Sequence, residues 1–469
     1  AVGNRIRSVD PAGNVTQSVF DALNRKTKEI DALGNITSYT YDALGRTTEI
    51  LDAKGNATRM SYDALGRLVQ TVYPDASKET FAYDAVGNVT QTTDRAVRIT
   101  TYSYDLLNRL AQKVFADGSK ETFTYDVMGN RVTETNSSGT IRNEYDLLKR
   151  IVKTVDVFGN IIEYTYDALG NRKSLRAMMG SQTLSRNYTY DALGRLVEIS
   201  DEKARKSRYE YDSRSRVTAK ILPNGTRTEY SYNLASEITQ IRYKNPLGNI
   251  FRTVDYALDT RGLITEKTDS LEGRSTFTYD QLARLVSVTN PVIGLVVFGL
   301  DALGNRTRVT DDGVPQDYVT NSLNQYTSAG EKAMQYDANG NLTRRTDSVT
   351  GGMTEYRYDL LDRLIQVLLP GGESVTFTYD TQNRRVQKST GLATTRYLWD
   401  GKEVLAELDA SGGLLRSYLH GSVIDEILYQ EDYKKNETLF FHQDHLMSTL
   451  ALTDQSGNLK ESFTYDPYG

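Results

Sequence analysis

The stretch YDALGR at residues 62–67 recurs with small changes along the chain and decides its fold. Tyr-Asp pairs of this motif follow one another at intervals of about 21 residues, and a regular internal period of this length indicates a repeat architecture. In such an architecture each unit packs against its neighbours. The Tyr-Asp pairs begin at Tyr41, Tyr62, Tyr83, Tyr104, Tyr125, Tyr145, Tyr166, Tyr190 and Tyr211.

Each copy of the motif carries the signature of a tight turn. Asp at the first turn position and Gly three residues later are typical of a type I turn. The Asp side chain can accept a hydrogen bond from the backbone two residues on, and Gly accepts the positive φ of a G1 bulge. We therefore predict β-hairpins. The candidate structural residues of these turns are Tyr41, Asp42, Gly45, Tyr62, Asp63, Gly66, Tyr83, Asp84, Gly87, Tyr125, Asp126, Gly129, Tyr166, Asp167, Gly170, Tyr190, Asp191 and Gly194.

A second turn signal lies in the middle of many repeats, for example at residues 31–35, 52–56 and 156–160. Turn signals at a spacing of about 10 residues predict an all-β chain of hairpins. Pairs such as Phe123 and Tyr125 are spaced by two and so share one face of a strand. About 40 strands at roughly 4.8 Å each would give a sheet contour of about 190 Å, which cannot stay flat. We expect a spiral array of antiparallel hairpins that forms a hollow shell or barrel-like cocoon.

Composition excludes several classes of function. The net charge is −5 with both signs mixed, so no basic footprint for nucleic acid appears. With no Cys there is no thiol chemistry. The longest apolar run, residues 292–300, is too short to be a transmembrane segment, and we predict a strand buried on both faces. The mixed-charge run at residues 201–208 is expected to be a solvated hairpin tip.

The residue pattern departs from the repeat after residue 396, in a segment that contains Trp399 and all three histidines. We expect YD repeats over residues 1–396 and a distinct β cap over residues 397–469. His442 and Asp444 would share one face of a strand while His445 points away, which is poor geometry for a metal. Turn Asp and Asn residues match neither the EF-hand nor the nonapeptide Ca²⁺ pattern. No catalytic, cofactor-binding or metal-ligating residue is therefore assigned.

On these motifs the chain resembles the Rhs/YD-repeat family, which includes bacterial Rhs polymorphic toxins, cocoon subunits of insecticidal toxin complexes and teneurin-like YD shells. The C-terminal segment resembles the start of an Rhs repeat-associated core. Met447 stands where that pattern usually has Gly, so a wider turn is expected there. The residues that carry this second resemblance are Trp399, His442, Asp444, His445, Asp466, Pro467 and Gly469.

The resemblance implies a hollow β-shell that encloses a variable C-terminal toxin. The self-cleaving, aspartyl-protease-like part of such cores would lie beyond Gly469, so the resemblance implies no enzyme within these residues. Our leading hypothesis is a non-catalytic secreted β-shell that encapsulates and protects a C-terminal toxin or other polypeptide cargo for delivery, with secretion or delivery machinery as a further partner. The alternative is a bacterial cell-surface scaffold or adhesin that binds carbohydrate or protein.

Overall fold

The computed structural model describes residues 3–466 and consists of strands joined by turns. Over that range 44 strands are present, which confirms the all-β prediction. Nowhere between residues 3 and 466 is there a helix long and apolar enough to cross a membrane.

The strands are short, as expected for a chain with such closely spaced turns, and most have between five and seven residues. The first half contains β1 (Arg7–Val9), β2 (Val15–Phe20), β3 (Lys26–Ile30), β4 (Ile36–Tyr41), β5 (Thr47–Leu51), β6 (Ala57–Tyr62), β7 (Leu68–Val72), β8 (Lys78–Tyr83), β9 (Val89–Thr93), β10 (Ile99–Tyr104), β11 (Leu110–Val114), β12 (Lys120–Tyr125), β13 (Arg131–Asn136), β14 (Gly139–Tyr145), β15 (Ile151–Val155), β16 (Ile161–Tyr166), β17 (Arg172–Met179), β18 (Gln182–Tyr190), β19 (Leu196–Asp201), β20 (Lys206–Tyr211), β21 (Val217–Ile221) and β22 (Arg227–Tyr232). The second half contains β23 (Ile238–Lys244), β24 (Ile250–Leu258), β25 (Ile264–Asp269), β26 (Gly273–Tyr279), β27 (Leu285–Asn290), β28 (Gly294–Leu300), β29 (Arg306–Asp311), β30 (Val314–Thr320), β31 (Tyr326–Ala329), β32 (Lys332–Tyr336), β33 (Leu342–Asp347), β34 (Met353–Tyr358), β35 (Leu364–Leu368), β36 (Ser374–Tyr379), β37 (Arg385–Ser389), β38 (Thr394–Asp400), β39 (Glu403–Asp409), β40 (Leu414–His420), β41 (Ile427–Asp432), β42 (Glu437–Gln443), β43 (Thr449–Thr453) and β44 (Leu459–Ser462).

Two compact units divide these strands. The first unit comprises the described residues up to 119 together with 257–267 and 274–373. The second unit comprises residues 120–256 and 268–273 and the described residues from 374 onward. The expected division into repeats up to residue 396 and a cap from residue 397 stays a prediction, and these two residues lie within one strand, β38.

Two ladders of consecutive antiparallel strands make up most of the first unit. The first ladder runs from β1 to β11 and the second from β26 to β35. Because each strand reverses direction, successive turns fall on opposite edges of a ladder. The YD turns therefore lie along one edge, and the mid-repeat turns lie along the other.

The apolar run at residues 292–300 forms a turn and then β28, in the second ladder of the first unit. Val296 and Phe298 are buried in a small cluster with Val288, whereas Leu295 and Val297 point outward and are exposed. The prediction of burial on both faces is wrong. Side chains of a strand alternate between its faces, and only one face of β28 packs against this cluster.

The core of the second unit joins strands that are distant in sequence. Ile162, Leu175 and Leu184 pack with Leu398 and Leu405 in one cluster. A second cluster joins strands β19–β20 to strands β40–β42, through Ile199, Tyr209, Leu222, Leu419, Leu428, Tyr429 and Phe440. The C-terminal strands are thus held by apolar packing against strands from much earlier in the chain, and the polar groups described below lie beside these clusters.

Candidate functional site: repeat turns and a buried polar cluster

The YD turn is built by one aspartate. In the copy at residues 62–67, the Gly66 N–H donates to the Asp63 carbonyl (3.0 Å) and the Asp63 N–H donates to the Arg67 carbonyl (2.9 Å). Gly66 has a φ of 82°, and the strand register shifts by one residue at Tyr62. The Asp63 carboxylate accepts from the N–H groups of Leu65 and Arg67, both at 2.9 Å. This is the expected type I turn with a G1 bulge.

The arginine that ends the turn also reaches the next repeat. Arg67 Nε donates to the Asp63 carboxylate (2.7 Å), and Arg67 Nη1 donates to the backbone carbonyl of Asp84, 17 residues on (2.9 Å). Its guanidinium lies 4.6 Å from the ring centre of Tyr83. The Tyr83 hydroxyl in turn donates to the carbonyl of Leu68 (2.8 Å). Each such repeat is therefore fastened to its successor by an arginine and a tyrosine.

These bonds also set the ionisation of the turn aspartate. The backbone N–H of Arg67 lowers the pKa of Asp63; partial burial opposes this effect, and the Arg67 side chain lowers the pKa further. The carboxylate is thus stabilised in its charged form, as a turn anchor requires. Sequence reasoning assigned the aspartate this role but missed the arginine, although its recurrence as the fifth residue after the tyrosine was a visible signal.

The other predicted turn residues occupy the same places. The glycines Gly45, Gly87, Gly129, Gly170 and Gly194 all have positive φ. The aspartates Asp42, Asp84, Asp126, Asp167 and Asp191 each hold their turn through the side chain. The tyrosines bond back to the preceding repeat, as shown by the hydroxyls of Tyr41, Tyr62, Tyr166 and Tyr190, and Tyr125 ends a strand at the same register shift.

The C-terminal motif residues are dispersed over several strands and turns. The Trp399 indole N–H donates to the Arg385 carbonyl (3.1 Å). The Asp444 carboxylate holds a turn by accepting from the N–H groups of Leu446 and Ser448. Asp466 is exposed at the end of the described chain, and the predicted residues Pro467 and Gly469 lie outside the described residues. The structure brings together two of these motif residues, Asp444 and His445, which share the turn region after β42.

His442 is fully buried and neutral. Burial, with a contribution from the positive charge of Lys220, lowers the pKa of His442 to about 3. Its Nε2 lies 2.9 Å from the Thr453 hydroxyl, and the rings of Tyr243 and Phe251 meet it edge-on. The neighbouring His445 has other partners, with Nδ1 3.2 Å from the Tyr256 hydroxyl. The two histidines are thus packing residues held by separate partners, and across residues 3–466 no group of His, Cys, Asp and Glu is placed to hold a metal.

The turn after Asp444 has ordinary dimensions. Met447 adopts a φ of 63° at the position usually held by Gly, and its N–H donates to the Asp444 carbonyl (3.2 Å). The Asp444 N–H donates to the Ser448 carbonyl (2.9 Å), as in the YD turns. The expectation of a wider turn is therefore wrong. The aspartate hydrogen bonds fix the turn strongly enough to hold a non-glycine residue in the left-handed region.

A buried ion pair joins the two parts of the second unit. Lys220 Nζ lies 3.0 Å from the Glu426 carboxylate, and both side chains are almost completely buried. The Tyr209 hydroxyl and the Ser422 N–H also donate to Glu426, at 2.9 and 2.8 Å. Burial alone would raise the pKa of Glu426, but the charge and hydrogen bond of Lys220 outweigh burial and lower it. Sequence reasoning missed this pair because its members are 206 residues apart.

The charged run at residues 201–208 forms a hairpin turn with an exposed tip and a buried first residue. Asp201 is buried, and its carboxylate accepts from Arg205 Nε (2.6 Å) and from the Tyr429 hydroxyl (2.5 Å). Arg205 also pairs with Glu431 (2.9 Å), as does Lys203. The prediction of a solvated hairpin tip holds for Glu202, Lys203 and Ala204, which are exposed. It is wrong for Asp201 and Arg205, because Tyr429 and Glu431 of the C-terminal strands contact them.

A cavity of about 200 Å³ lies beside these residues in the second unit, lined in part by Arg172, Tyr188 and His420. Two pairs of polar side chains lie in its lining. Arg172 pairs with Asp400 (2.6 Å), and His420 Nδ1 lies 2.9 Å from the Glu403 carboxylate. These contacts fasten strands together through charge and hydrogen bonds.

Two family profiles match parts of the sequence. The profile described as Teneurin YD-shell matches residues 76–247 and 250–469. The profile described as RHS Repeat matches residues 20–57 and 41–78.

Similar curated proteins are bacterial and much longer. The tRNA3(Ser)-specific nuclease WapA of Bacillus spizizenii is 29% identical over 298 residues, which is 62% of this chain and 12% of that protein. The tRNA nuclease WapA of Bacillus subtilis is 28% identical over 63% of this chain and 13% of its own length. The double-stranded DNA deaminase toxin A of Burkholderia cenocepacia is 28% identical over 47% of this chain and 17% of its own length. The chain spans less than a fifth of the length of these relatives.

Among solved structures, the fold is similar to a Tc holotoxin pore of Photorhabdus luminescens and to TcdB2-TccC3. Both give a TM-score of 0.62 at 16% identity, over 98% of this chain and 30% or 31% of the other. At this identity the likeness concerns the fold alone. This likeness agrees with the fold class predicted from the sequence, an all-β array of antiparallel hairpins of the shell type.

Proposed function

Because this chain belongs to the teneurin YD-shell family, we propose that it forms part of a β-shell that encloses a polypeptide cargo and protects it until delivery. The observation that supports the proposal most strongly is the family match, which extends over nearly all residues from 76 onward. The geometry is consistent with a wall. Within each unit, strands bond to their chain neighbours, and arginines and tyrosines fasten successive repeats.

We propose a protein toxin as the cargo. Relatives are named as tRNA nucleases and as a DNA deaminase toxin, and this chain aligns with less than a fifth of each. The proposal places such activities outside the aligned segment and gives the residues described above a structural, non-catalytic role. It also implies a secreted or cell-surface bacterial protein, because a protected toxin has to leave the cell that makes it.

Protease protection tests this function. A reporter polypeptide that is unfolded on its own is joined after residue 469, and the fusion is treated with protease. Enclosure predicts that the reporter is cut at least about tenfold more slowly than the same reporter mixed with the chain as a separate molecule. The matched control carries the reporter before residue 1. Equal cutting of all three reporters would refute enclosure, and electron microscopy of the fusion would show whether the reporter lies within a lumen.

A further inference from the structure

One edge of the first ladder in the first unit carries a row of exposed aliphatic side chains. They occupy the second position after the aspartate of five successive YD turns and are between 68% and 75% exposed. Two strands separate neighbouring turns, so the row repeats about every 9.6 Å and extends for about 38 Å. We name this row the YD edge. Its members are Leu23, Leu44, Leu65, Val86 and Leu107.

The same motif position is covered in the second ladder of the same unit. Leu282, Leu323 and Leu361 are partly buried, and Leu303 is only 37% exposed. The residue type and the turn are the same in both ladders. The difference in exposure therefore comes from what packs against the turn.

Mid-repeat turns of the first ladder cover the YD turns of the second. Lys54 Nζ lies 2.9 Å from the Asp301 carboxylate and 2.8 Å from the Thr320 hydroxyl. The Ala96 N–H donates to the Asn339 side chain (2.8 Å), and further along the same edge Arg98 pairs with Asp362 (2.8 Å). We infer that the leucines at the YD turns of the second ladder are less exposed because the mid-repeat turns of the first ladder pack against these turns.

The complementary half of this contact is also exposed. Val292, Val314 and Val349 lie in or directly beside mid-repeat turns of the second ladder, and each is about two-thirds exposed. The turns at Val292 and Val314 are two strands apart, and the turns at Val314 and Val349 are four strands apart. Their spacings are therefore about one and two times the roughly 9.6 Å repeat of the YD edge. We name this row the mid edge. The first unit therefore presents both partners of a contact that it already makes once internally.

We propose that a second copy of this chain docks on the YD edge through its own mid edge. The contact is head to tail, because two different surfaces meet, so it propagates from copy to copy instead of closing as a two-fold dimer. Rows of exposed aliphatic side chains rimmed by polar residues mark interaction surfaces, and burying both rows removes apolar area from water. This association is independent of the enclosed cargo and of the proposed function.

Sedimentation of the full chain over a range of concentrations tests the proposal. The wild type is expected to associate as its concentration rises. The triple variant Leu44→Asp, Leu65→Asp, Val86→Asp is expected to weaken association at least about tenfold, because three carboxylates would be placed in the apolar contact. The control Val319→Asp changes an exposed apolar residue on a strand face, and it is expected to associate like the wild type.

A mixing experiment tests the head-to-tail geometry. The double variant Val314→Asp, Val349→Asp disrupts the mid edge and keeps the YD edge. Mixed with the triple variant, it is expected to form dimers that grow no further, because each variant supplies one intact surface. A wild-type chain that stays monomeric at every concentration, or a triple variant that associates as well as the wild type, would overturn the proposal. Circular dichroism checks that the variants keep the wild-type β-structure.

Discussion

At the scale of single residues, the last position of the YD turn determines which side-chain contacts that turn makes with the next one. Arginine there closes its own turn and also binds the following turn and tyrosine, as Arg67 does. Asparagine closes its own turn in the same way, since Asn171 Nδ2 donates to the Asp167 carboxylate (2.9 Å). Asparagine can also reach the next turn, as Asn88 does through one hydrogen bond to the Asn108 side chain (3.2 Å). The two residue types therefore differ in the contact with the following backbone carbonyl and tyrosine ring, which Arg67 makes.

Replacing Arg67 separates these two roles. Arg67→Asn keeps the bond to Asp63 and loses the contacts with Asp84 and Tyr83, which we expect to lower the free energy of unfolding by about 1–2 kcal/mol. Arg67→Ala also loses the bond within the turn and is expected to cost about 1 kcal/mol more. Urea unfolding measures both. If the asparagine variant were as stable as the wild type, the arginine would not couple the repeats.

The buried neutral His442 predicts acid sensitivity. In the unfolded chain its imidazole takes up a proton near pH 6.5, whereas in the folded chain its pKa is about 3. The unfolded state therefore binds more protons between these values, and stability falls as the pH decreases through that window, by up to about 1.4 kcal/mol per pH unit.

The matching experiment is urea unfolding of His442→Gln at pH 7 and pH 4.5. The variant is expected to lose less stability on acidification than the wild type. His420→Gln, which changes a less buried histidine, is the control. Parallel pH dependence of the wild type and His442→Gln would contradict the prediction.

At the scale of elements, the hairpin is the part of the structure that the sequence predicted well. The aspartate, the glycine and the alternating aromatics act within a few residues of one another, so their pattern is visible along the chain. The burial of Asp201 was not predictable in this way, because its covering residue Tyr429 comes from a strand 228 residues later. The prediction of a wider turn at Met447 was wrong for a different, local reason, because the hydrogen bonds of Asp444 hold the turn without a glycine.

The YD turn favours glycine because of the positive φ at that position, and not because a side chain would lack space there. A Cβ added at Gly66 would meet Arg46 Nη1 at 3.6 Å, an ordinary contact, but φ is 82°. Gly66→Val is expected to lower the free energy of unfolding by about 1–2 kcal/mol, because a branched side chain disfavours the left-handed region. Gly66→Asn is expected to cost less, since Asn24 and Asn108 hold the same place in other turns. Equal losses in urea unfolding would show that φ is not the cause.

At the scale of the whole molecule, stability in the second unit depends on joining segments that are far apart in sequence. Apolar clusters and the Lys220–Glu426 pair connect strands of residues 160–230 with strands after residue 390. Burying one of these charges without its partner would strongly destabilise the fold. The pair therefore favours the arrangement in which the two segments are correctly joined.

Glu426→Gln leaves Lys220 buried without a counter-charge and is expected to lower the free energy of unfolding of the second unit by about 3–5 kcal/mol. The double variant Lys220→Met, Glu426→Leu removes both charges and is expected to recover much of this loss. Thermal and urea unfolding measure the two variants side by side. A double variant as unstable as Glu426→Gln would show that the hydrogen bonds of Tyr209 and Ser422, and not the paired charges, carry the stability.

The arginine and tyrosine links between repeats have a short reach in sequence, 17 residues for Arg67 and 15 for Tyr83, and this bears on how the chain folds as it is made. A contact of low sequence separation forms early and quickly, so a repeat can dock on its predecessor while later residues are still being synthesised. The pairing of Lys220 with Glu426, 206 residues apart, has to wait until both segments have been made. A wall held by contacts of this short reach needs no template to form again from an extended chain.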